Sequence, residues 1–222
     1  MPAGDRHLDL GCGRFPRNPY GRAELCGVDI RPLSGVDFDY RIANLALDPI
    51  PYADGDFGSV SAYDFIEHIP RLLATADGRN TFFPFVRLMD EIWRVLAPDG
   101  RLYALTPAWP HAEAFVDPTH VNLITERTHE YFCGERPLAR MYGFNGRFEA
   151  LRIEWVHVEA AYSALPGSPE NSRHLRRYPP LKRFARQVRR FSRWLRGKQD
   201  PSTRKPPHAY LLWELRAVKA GA

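Results

Sequence analysis

The chain has 222 residues, of which 44% are hydrophobic and 13% aromatic. This composition excludes global disorder, and the length predicts a single domain over residues 1–222. The net charge of +5 hides an asymmetry, because residues 173–205 hold 13 basic side chains and one acidic side chain and carry +12. The other residues together carry −7, so we predict an acidic globular body with one strongly basic segment. No apolar run approaches the roughly 20 residues that span a bilayer.

Short apolar segments bounded by glycine and proline predict β-strands along the chain. They cover residues 7–10, 24–30, 37–45, 59–63, 101–105, 151–158 and 210–218. A helix is predicted over Phe85–Leu96, where apolar side chains recur at helical spacing before a turn at Pro98-Asp99-Gly100. Shorter helices are predicted after Asp64 and from Thr125 to about Cys133.

Strands that alternate with helices or crossovers indicate an α/β fold with a doubly wound sheet. We predict a Rossmann-like sheet of seven mostly parallel strands, of which the last is antiparallel. Residues 163–207 are predicted to form a basic helical insertion between the last two strands. Inside it, the apolar residues from Leu181 to Leu195 follow one helical stripe, and arginine and lysine fill the other positions.

A glycine-rich turn follows the first strand, in the sequence Asp9-Leu10-Gly11-Cys12-Gly13. Two glycines at such a place let a ligand approach the backbone closely. Asp29 follows the second strand, where an acid can accept both hydroxyl groups of a ribose. A dinucleotide fingerprint would need a third glycine and an intact helix, but Pro16 occupies that position. A cofactor with a ribose and no pyrophosphate is therefore favoured.

Four ordered segments of residues 7–125 resemble the class I S-adenosylmethionine-dependent methyltransferases. They are Asp9-Leu-Gly-Cys-Gly13, Gly27-Val-Asp-Ile30, Asp64-Phe-Ile-Glu-His-Ile69 and Glu91-Ile-Trp-Arg-Val-Leu-Ala-Pro-Asp-Gly100. The variant is similar to a compact bacterial subgroup with a shortened first crossover. Members of that subgroup often serve cell-surface polysaccharide or lipopolysaccharide synthesis, an associational link that suggests lipopolysaccharide biosynthesis here.

The resemblance implies a site for S-adenosylmethionine along the carboxyl ends of the first four strands. From the methionine end to the adenine end, its residues are Asp9, Gly11, Gly13, Asp64, Asp29, Asn44 and Leu45. Asp64 would face the sulfonium region, and Asp29 would bind the ribose hydroxyls. Asn44 stands where the family usually has Asp, and its amide oxygen can still accept from the adenine amino group.

The family usually binds its substrate after strands four and five, and the loop after the fifth predicted strand is rich in ionisable residues. His120 is our choice of general base, with Asp117 as its orienting partner or as a base itself, and His111 behind them. The alternative is that these loop residues only form a structured turn. The same three residues could hold a divalent metal, but nothing fixes a ligand geometry, so the assignment includes no metal. His68 is interpreted as structural.

Residues 173–205 admit three partners. The segment suits an anionic membrane surface, a nucleic acid, or the body of the protein itself as a lid or a homo-oligomer contact. We place nucleic acid behind the other two, because a further RNA-binding domain and the Asn/Asp-Pro-Pro-Tyr/Phe signature of amine methylation are both missing.

The sequence thus predicts an enzyme that O-methylates a sugar or a cell-surface glycan or lipid-linked intermediate. Three widely spaced cysteines without a CxxC pair favour the reducing cytoplasm, and the basic segment favours the inner face of the membrane. The alternatives are a nucleic-acid (RNA) methyltransferase and a non-catalytic binding protein of the methyltransferase fold.

Overall fold

The computed structural model describes residues 3–162 and 206–219. The predicted basic insertion, residues 163–207, lies outside this part of the chain except for its last two positions. The strands are β1 Arg6–Leu10, β2 Glu24–Asp29, β3 Asp39–Ile42, β4 Phe57–Tyr63, β5 Leu73–Ala74, β6 Thr81–Phe82, β7 Leu96–Pro107, β8 Phe148–Val156 and β9 Tyr210–Ala217. The α-helices are α1 Pro84–Val95 and α2 Val158–Ala161. Short 3-10 helices cover Ala3–Asp5, Ile66–His68, Ala112–Phe115, Thr128–Phe132 and Leu138–Tyr142.

Seven strands form one sheet in the order β3-β2-β1-β4-β7-β9-β8, and β5 and β6 form a separate pair. Neighbouring strands of the large sheet are parallel, except that β9 runs antiparallel to both β7 and β8. The predicted α/β sheet with an antiparallel last strand is confirmed. The strand order reverses between β1 and β4, and in open α/β sheets ligands bind beyond the carboxyl ends of the strands at such a point.

The centre of the sheet is covered on both faces. All seven residues of β4 are buried, as expected for a central parallel strand. Helix α1 buries one stripe, most of which belongs to the same hydrophobic core as β4, formed by Pro84, Phe85, Leu88, Met89, Ile92 and Val95. This spacing is the pattern that predicted a helix over Phe85–Leu96, and the observed helix begins and ends one residue earlier. Within the described ranges, no helix is long and apolar enough to cross a membrane.

Two local predictions are wrong. The turn predicted at Pro98-Asp99-Gly100 is a bulge inside β7, because Phe57 pairs with Leu96 while Ser59 pairs with Arg101. Asp99 takes a left-handed conformation with φ +60° to absorb the extra residues. The helix predicted from Thr125 to Cys133 is only a 3-10 turn over Thr128–Phe132. The Thr128 hydroxyl accepts from the Thr125 amide as at the start of a helix, but the backbone bonds that follow span three residues, as in Thr128 N to Thr125 O at 3.1 Å.

Candidate cofactor and acceptor site

The turn after β1 folds back onto β2 through backbone hydrogen bonds. Gly11 N and Cys12 N donate to Val28 O at 2.8 and 3.3 Å. Gly11 and Gly13 have φ values of +66° and +56°, a region that side chains disfavour. A Cβ at Gly11 would also lie 2.6 Å from the Phe65 ring. Glycine at position 11 therefore lets the turn pack directly on the segment that follows β4.

Asp29 ends β2 beside this turn, and its carboxylate is held from two sides. Gly13 N donates to Oδ2 at 2.9 Å, and Arg31 N donates to Oδ1 at 3.0 Å. The Arg31 guanidinium also donates to both oxygens, at 3.0 and 2.9 Å. Burial opposes ionisation of Asp29, but these hydrogen bonds outweigh it and lower the pKa of the carboxyl. The Asp29 side chain is 5% exposed and that of Arg31 is 63% exposed, so the guanidinium covers the acid from the solvent side.

Asp9 lies behind the turn and faces the sheet interior. Its Oδ1 accepts from the Ser61 hydroxyl at 2.6 Å, and its Oδ2 accepts from the Arg17 amide at 2.8 Å. The residue is fully buried, and burial raises the pKa of Asp9 to about 6. Asp9 therefore anchors the 11–23 loop instead of exposing an oxygen at its surface.

A buried polar chain continues from Asp9 into the sheet. His7 is fully buried, with Nε2 2.8 Å from Ser61 Oγ and Nδ1 2.8 Å from Ser59 Oγ. The single Ser61 hydrogen goes to Asp9, so His7 Nε2 must carry the proton and Nδ1 must accept from Ser59. Burial lowers the pKa of His7 to about 3, and the ring is neutral. We call Asp9, Gly11, Gly13 and Asp29 the β1–β2 edge.

Asp64 follows β4 in a left-handed conformation, with φ +47°, that is unusual for a residue with a side chain. Its amide donates to Leu105 O at 2.9 Å, and its carboxylate accepts from the Tyr162 hydroxyl. Burial raises the pKa of Asp64. The Arg17 guanidinium carbon lies 4.8 Å from the centre of the Tyr63 ring and 4.6 Å from that of Tyr162. A cation held between two rings thus lies next to a half-buried acid, an arrangement that no sequence pattern predicted.

Asn44 and Leu45, predicted to contact adenine, have local structural contacts. The Asn44 amide oxygen accepts from Ala46 N at 3.2 Å, and Asn44 N donates to the Asp48 carboxylate at 3.0 Å. The Leu45 side chain is 5% exposed and belongs to the main hydrophobic core. The amide oxygen expected to bind a ligand is therefore already engaged in a turn.

Glu67 lies one residue past the start of the 3-10 helix that follows β4, and it is almost completely buried. Its Oε2 accepts from the Thr106 hydroxyl at 2.9 Å. Its Oε1 is buried with no hydrogen-bond partner among the described residues, and it lies 4.0 Å from His120 Nε2. Burial raises the pKa of Glu67 to about 8. Buried polar atoms are rarely left in this state, so the oxygen needs an explanation.

The predicted residues of the 107–122 loop separate into two groups. His120 stands at Glu67, and its ring lies 4.7 Å from that of His68, centre to centre. Asp117 is exposed and accepts from Thr119, and the ring of His120 bonds to the Ala114 carbonyl at 3.2 Å instead. The expected Asp117–His120 pair is therefore not formed, because the loop turns Asp117 toward its own backbone.

His111 lies apart from this group, with its ring 5.6 Å from the Trp155 ring. Its Nε2 is buried without a partner in the described part of the chain. The metal set that combines His111, Asp117 and His120 is not brought together, whereas Glu67 and His68 join His120. We call Asp64, Glu67, His68 and His120 the β4–β7 edge.

No protein-family model matches the chain, and a comparison with curated proteins finds no match. Solved structures are similar in fold. One is a chain from the complex of the Haloferax volcanii Trm112 methyltransferase activator with a protein assigned as a methyltransferase. It is 14% identical, covers 97% of this chain and 84% of that chain, and has a TM-score of 0.50. A SAM-dependent methyltransferase from Archaeoglobus fulgidus is 15% identical over 95% of this chain and 85% of that chain, with a TM-score of 0.49. The chain has the class I methyltransferase fold.

Proposed function

We propose that the protein is an S-adenosylmethionine-dependent methyltransferase. The observation that carries the proposal is the Asp29 carboxylate at the carboxyl end of β2, beside the left-handed turn at Gly11 and Gly13. A carboxylate at this place suits the two hydroxyls of a ribose. The exposed Arg31 side chain can move aside, while the amides of Gly13 and Arg31 keep the carboxylate in place. The residues present therefore fit the cofactor's nucleoside.

The methionine end of the cofactor would lie along the turn and the start of the segment after β4. Gly11 would shape the turn against Phe65, Gly13 would leave the backbone open once Arg31 moves aside, and Arg17 is a cation suited to the cofactor's carboxylate. Asp64 is the acid suited to its amino and sulfonium charges. Asp9 would act through the loop, because it holds the Arg17 amide and no oxygen of it is free. Asn44 and Leu45 would shape the adenine end through their turn.

When bound, S-adenosylmethionine supplies a methyl group on a positively charged sulfur. The part of the protein would be to orient an acceptor hydroxyl toward that methyl group and to take up the hydroxyl proton. His120 is our candidate for the base. Its Nδ1 donates to the Ala114 carbonyl, so Nε2 carries the lone pair. Asp117 and His111, which lie away from it, are proposed to hold the loop.

A hydroxyl-bearing sugar or glycan intermediate is the acceptor that we propose. The β4–β7 edge brings several ionisable side chains close together. Such side chains can orient an acceptor hydroxyl and remove its proton. Trp109 and Phe115 flank the same loop and are 53% and 59% exposed, which provides flat apolar surfaces for a sugar ring. We place the reaction in the cytoplasm, at the inner face of the membrane.

Calorimetry with S-adenosylmethionine and S-adenosylhomocysteine tests the cofactor. We expect both to bind, and Asp29→Ala to weaken binding 10- to 100-fold, because charged hydrogen bonds contribute about 1.5–3 kcal/mol. Asp37→Ala is the matched control, since it removes an exposed acid of the β2–β3 loop. Absence of binding at millimolar concentration would leave a non-catalytic protein of this fold. Equal losses in both variants would remove the role of Asp29.

The membrane proposal depends on residues 173–205, which lie outside the described residues. Full-length protein is floated with anionic and with neutral vesicles at low and high salt. We expect flotation with anionic vesicles to fall when Arg183, Arg186 and Arg190 are changed to Gln. Changing the exposed Arg79, Arg136 and Arg140 to Gln should leave it unaltered. Equal behaviour of the two triple variants would refute the membrane contact.

A further inference from the structure

Three side chains of the β4–β7 edge converge from segments far apart in the chain. One ligand atom from each of Glu67, His68 and His120 lies within 4.8 Å of the others. The 3-10 helix after β4 supplies the first two, and the loop after β7 supplies the third. Glu67 contributes the Oε1 atom that is buried without a hydrogen-bond partner in the described ranges, and its side chain is 2% exposed.

The outer contacts of both rings prepare their Nε2 atoms to donate a lone pair. His120 Nδ1 lies 3.2 Å from the Ala114 carbonyl, which can only accept, so this nitrogen carries the proton. His68 Nδ1 lies 2.9 Å from Thr119 Oγ1, whose own hydrogen goes to Asp117 at 2.7 Å. His68 Nδ1 must therefore donate as well. Metal-binding histidines are held in this way, with the second ring nitrogen hydrogen-bonded to a carbonyl or, directly or through a relay, to a carboxylate.

The carboxylate is oriented by the same principle. Thr106 donates to Glu67 Oε2 at 2.9 Å, which fixes the group and leaves Oε1 directed at His120 Nε2, 4.0 Å away. A carboxylate oxygen of Glu67 and one nitrogen of each ring thus lie within 4.8 Å of one another, and Glu67 Oε1 has no hydrogen-bond partner in the described part of the chain. A cation among these atoms would be bonded by all three side chains.

We propose that Glu67, His68 and His120 form a binding site for a divalent first-row transition metal such as Zn²⁺, Mn²⁺ or Co²⁺. Two imidazoles and one carboxylate suit these ions, whereas Mg²⁺ and Ca²⁺ prefer oxygen ligands. Bond lengths of about 2.0–2.2 Å require the three atoms to draw together by about 1 Å. Three protein ligands leave coordination positions open.

The open positions give the ion a role, which rests on the proposed methyl transfer. An acceptor hydroxyl bound to the ion loses its proton more readily, because a divalent cation stabilises the alkoxide. His120 would then serve as a ligand and could not take up this proton, which would leave to a solvent water molecule while the ion stabilises the oxygen anion. Asp117, through Thr119 and His68, becomes a positioning residue of the metal site.

The test uses full-length, untagged protein that has been stripped with a chelator. Titration with Co²⁺ is followed by its visible absorption and by calorimetry, without any methyl donor. We expect one equivalent to bind, with absorption bands typical of nitrogen and oxygen ligation, and Zn²⁺ to displace it. Mg²⁺ at the same concentration should not compete.

Variants separate the site from other histidines. Glu67→Gln and His68→Asn should weaken Co²⁺ binding at least about 100-fold, and Thr119→Val about 10-fold or more through loss of the outer contact. His129→Asn is the matched control, because that ring bonds to the Glu126 carbonyl and contacts Trp213, away from the cluster. Circular dichroism and thermal unfolding establish that each variant is folded. Should Glu67→Gln not fold, His68→Asn and Thr119→Val carry the test.

The outcomes distinguish this inference from the proposed function. Metal binding with no affinity for S-adenosylmethionine would support the site and remove the methyltransferase proposal. Cofactor binding without metal binding, or equal Co²⁺ affinity in wild-type, Glu67→Gln and His68→Asn proteins, would overturn the metal site alone.

Discussion

The β1–β2 edge and the β4–β7 edge differ in whether their carboxylate oxygens all have hydrogen-bond partners. On the β1–β2 edge, every carboxylate oxygen of Asp9 and Asp29 accepts a hydrogen bond. On the β4–β7 edge, Glu67 keeps one buried oxygen without a partner in the described residues. The carboxylates of the first edge are satisfied by the chain itself, whereas the metal ion that we propose would complete the second edge. A buried polar group without a hydrogen-bond partner destabilises the fold. Such a group therefore indicates a ligand more strongly than a polar group that is already hydrogen-bonded.

The largest effect that we expect is a loss of stability at low pH, when His7, which is hydrogen-bonded to Ser59 and Ser61, becomes protonated. The pKa of His7 is about 3 in the folded protein against 6.5 in the unfolded chain. The unfolded state therefore binds more protons, and the stabilisation by neutral His7 is complete above pH 6.5 and is lost as pH falls toward 3. The upper limit is about 5 kcal/mol.

Urea unfolding of wild-type and His7→Gln proteins at several pH values measures the stabilisation by neutral His7. Other groups titrate equally in both, so the difference in free energy of unfolding isolates His7. The free energy of unfolding of the wild-type protein minus that of the variant should be about 3 kcal/mol smaller at pH 4 than at pH 7. Parallel pH profiles would show that the ring is not held neutral.

The next effect breaks the same network at its centre. Ser61→Ala leaves the His7 Nε2–H and one Asp9 oxygen without partners. Two unpaired buried groups should lower the free energy of unfolding by about 3 kcal/mol. Ser59→Ala is the control, since it removes one donor to His7 Nδ1 and should cost about 1 kcal/mol. Equal losses, measured by urea unfolding, would contradict the proton positions assigned here.

A smaller effect tests the cover over Asp29. Arg31→Ala frees the carboxylate, so we expect the affinity for S-adenosylmethionine to rise two- to fivefold, the equivalent of about 0.4–1 kcal/mol for an exposed ion pair. Arg14→Ala removes a nearby charge that donates to the Ser34 carbonyl, and it should change little. Calorimetry compares the two. A loss of affinity in Arg31→Ala would mean that this guanidinium assists binding.

The smallest effect is expected on the second edge. In metal-free protein, Glu67→Gln should change the free energy of unfolding by less than about 1 kcal/mol, because it puts a neutral amide of the same shape in place of a buried carboxyl group, one oxygen of which has no partner in the described residues. Thr106→Val is the contrast, since it strips Glu67 of its one side-chain donor and should destabilise the fold by about 2 kcal/mol. If thermal and urea unfolding found Glu67→Gln as damaging as Ser61→Ala, the two edges would not differ as described.

Sheet and strand ends were readable from the sequence because they depend on local patterns. Apolar runs broken by glycine and proline predicted the strands of the large sheet, and with them the positions of Asp29 and Asp64 at the ends of two strands. Parallel strands place their carboxyl ends on one edge, so position in sequence was enough to bring these acids to the same edge.

Side-chain direction could not be read in the same way. The Arg31 guanidinium turns back on Asp29, and Leu45 points into the core; both depend on packing in three dimensions. Glu67 and His120 are separated by β5, β6, α1, β7 and a loop, so no spacing rule could pair them. A useful signal was present in Glu67-His68 after a strand, but a histidine at a helix start is usually structural.

The position of β9 has a consequence for the order in which the protein assembles. β9 lies between β7 and β8, yet it follows Val156 by more than 50 residues. During synthesis, β8 has no neighbour in the sheet until Tyr210–Ala217 has left the ribosome, and β7 presents an open edge of backbone donors and acceptors. The sheet is therefore complete only after β9 has paired with both β7 and β8. A nascent chain that stalls before β9 would expose a template for aggregation, and chaperones would be needed most at that moment.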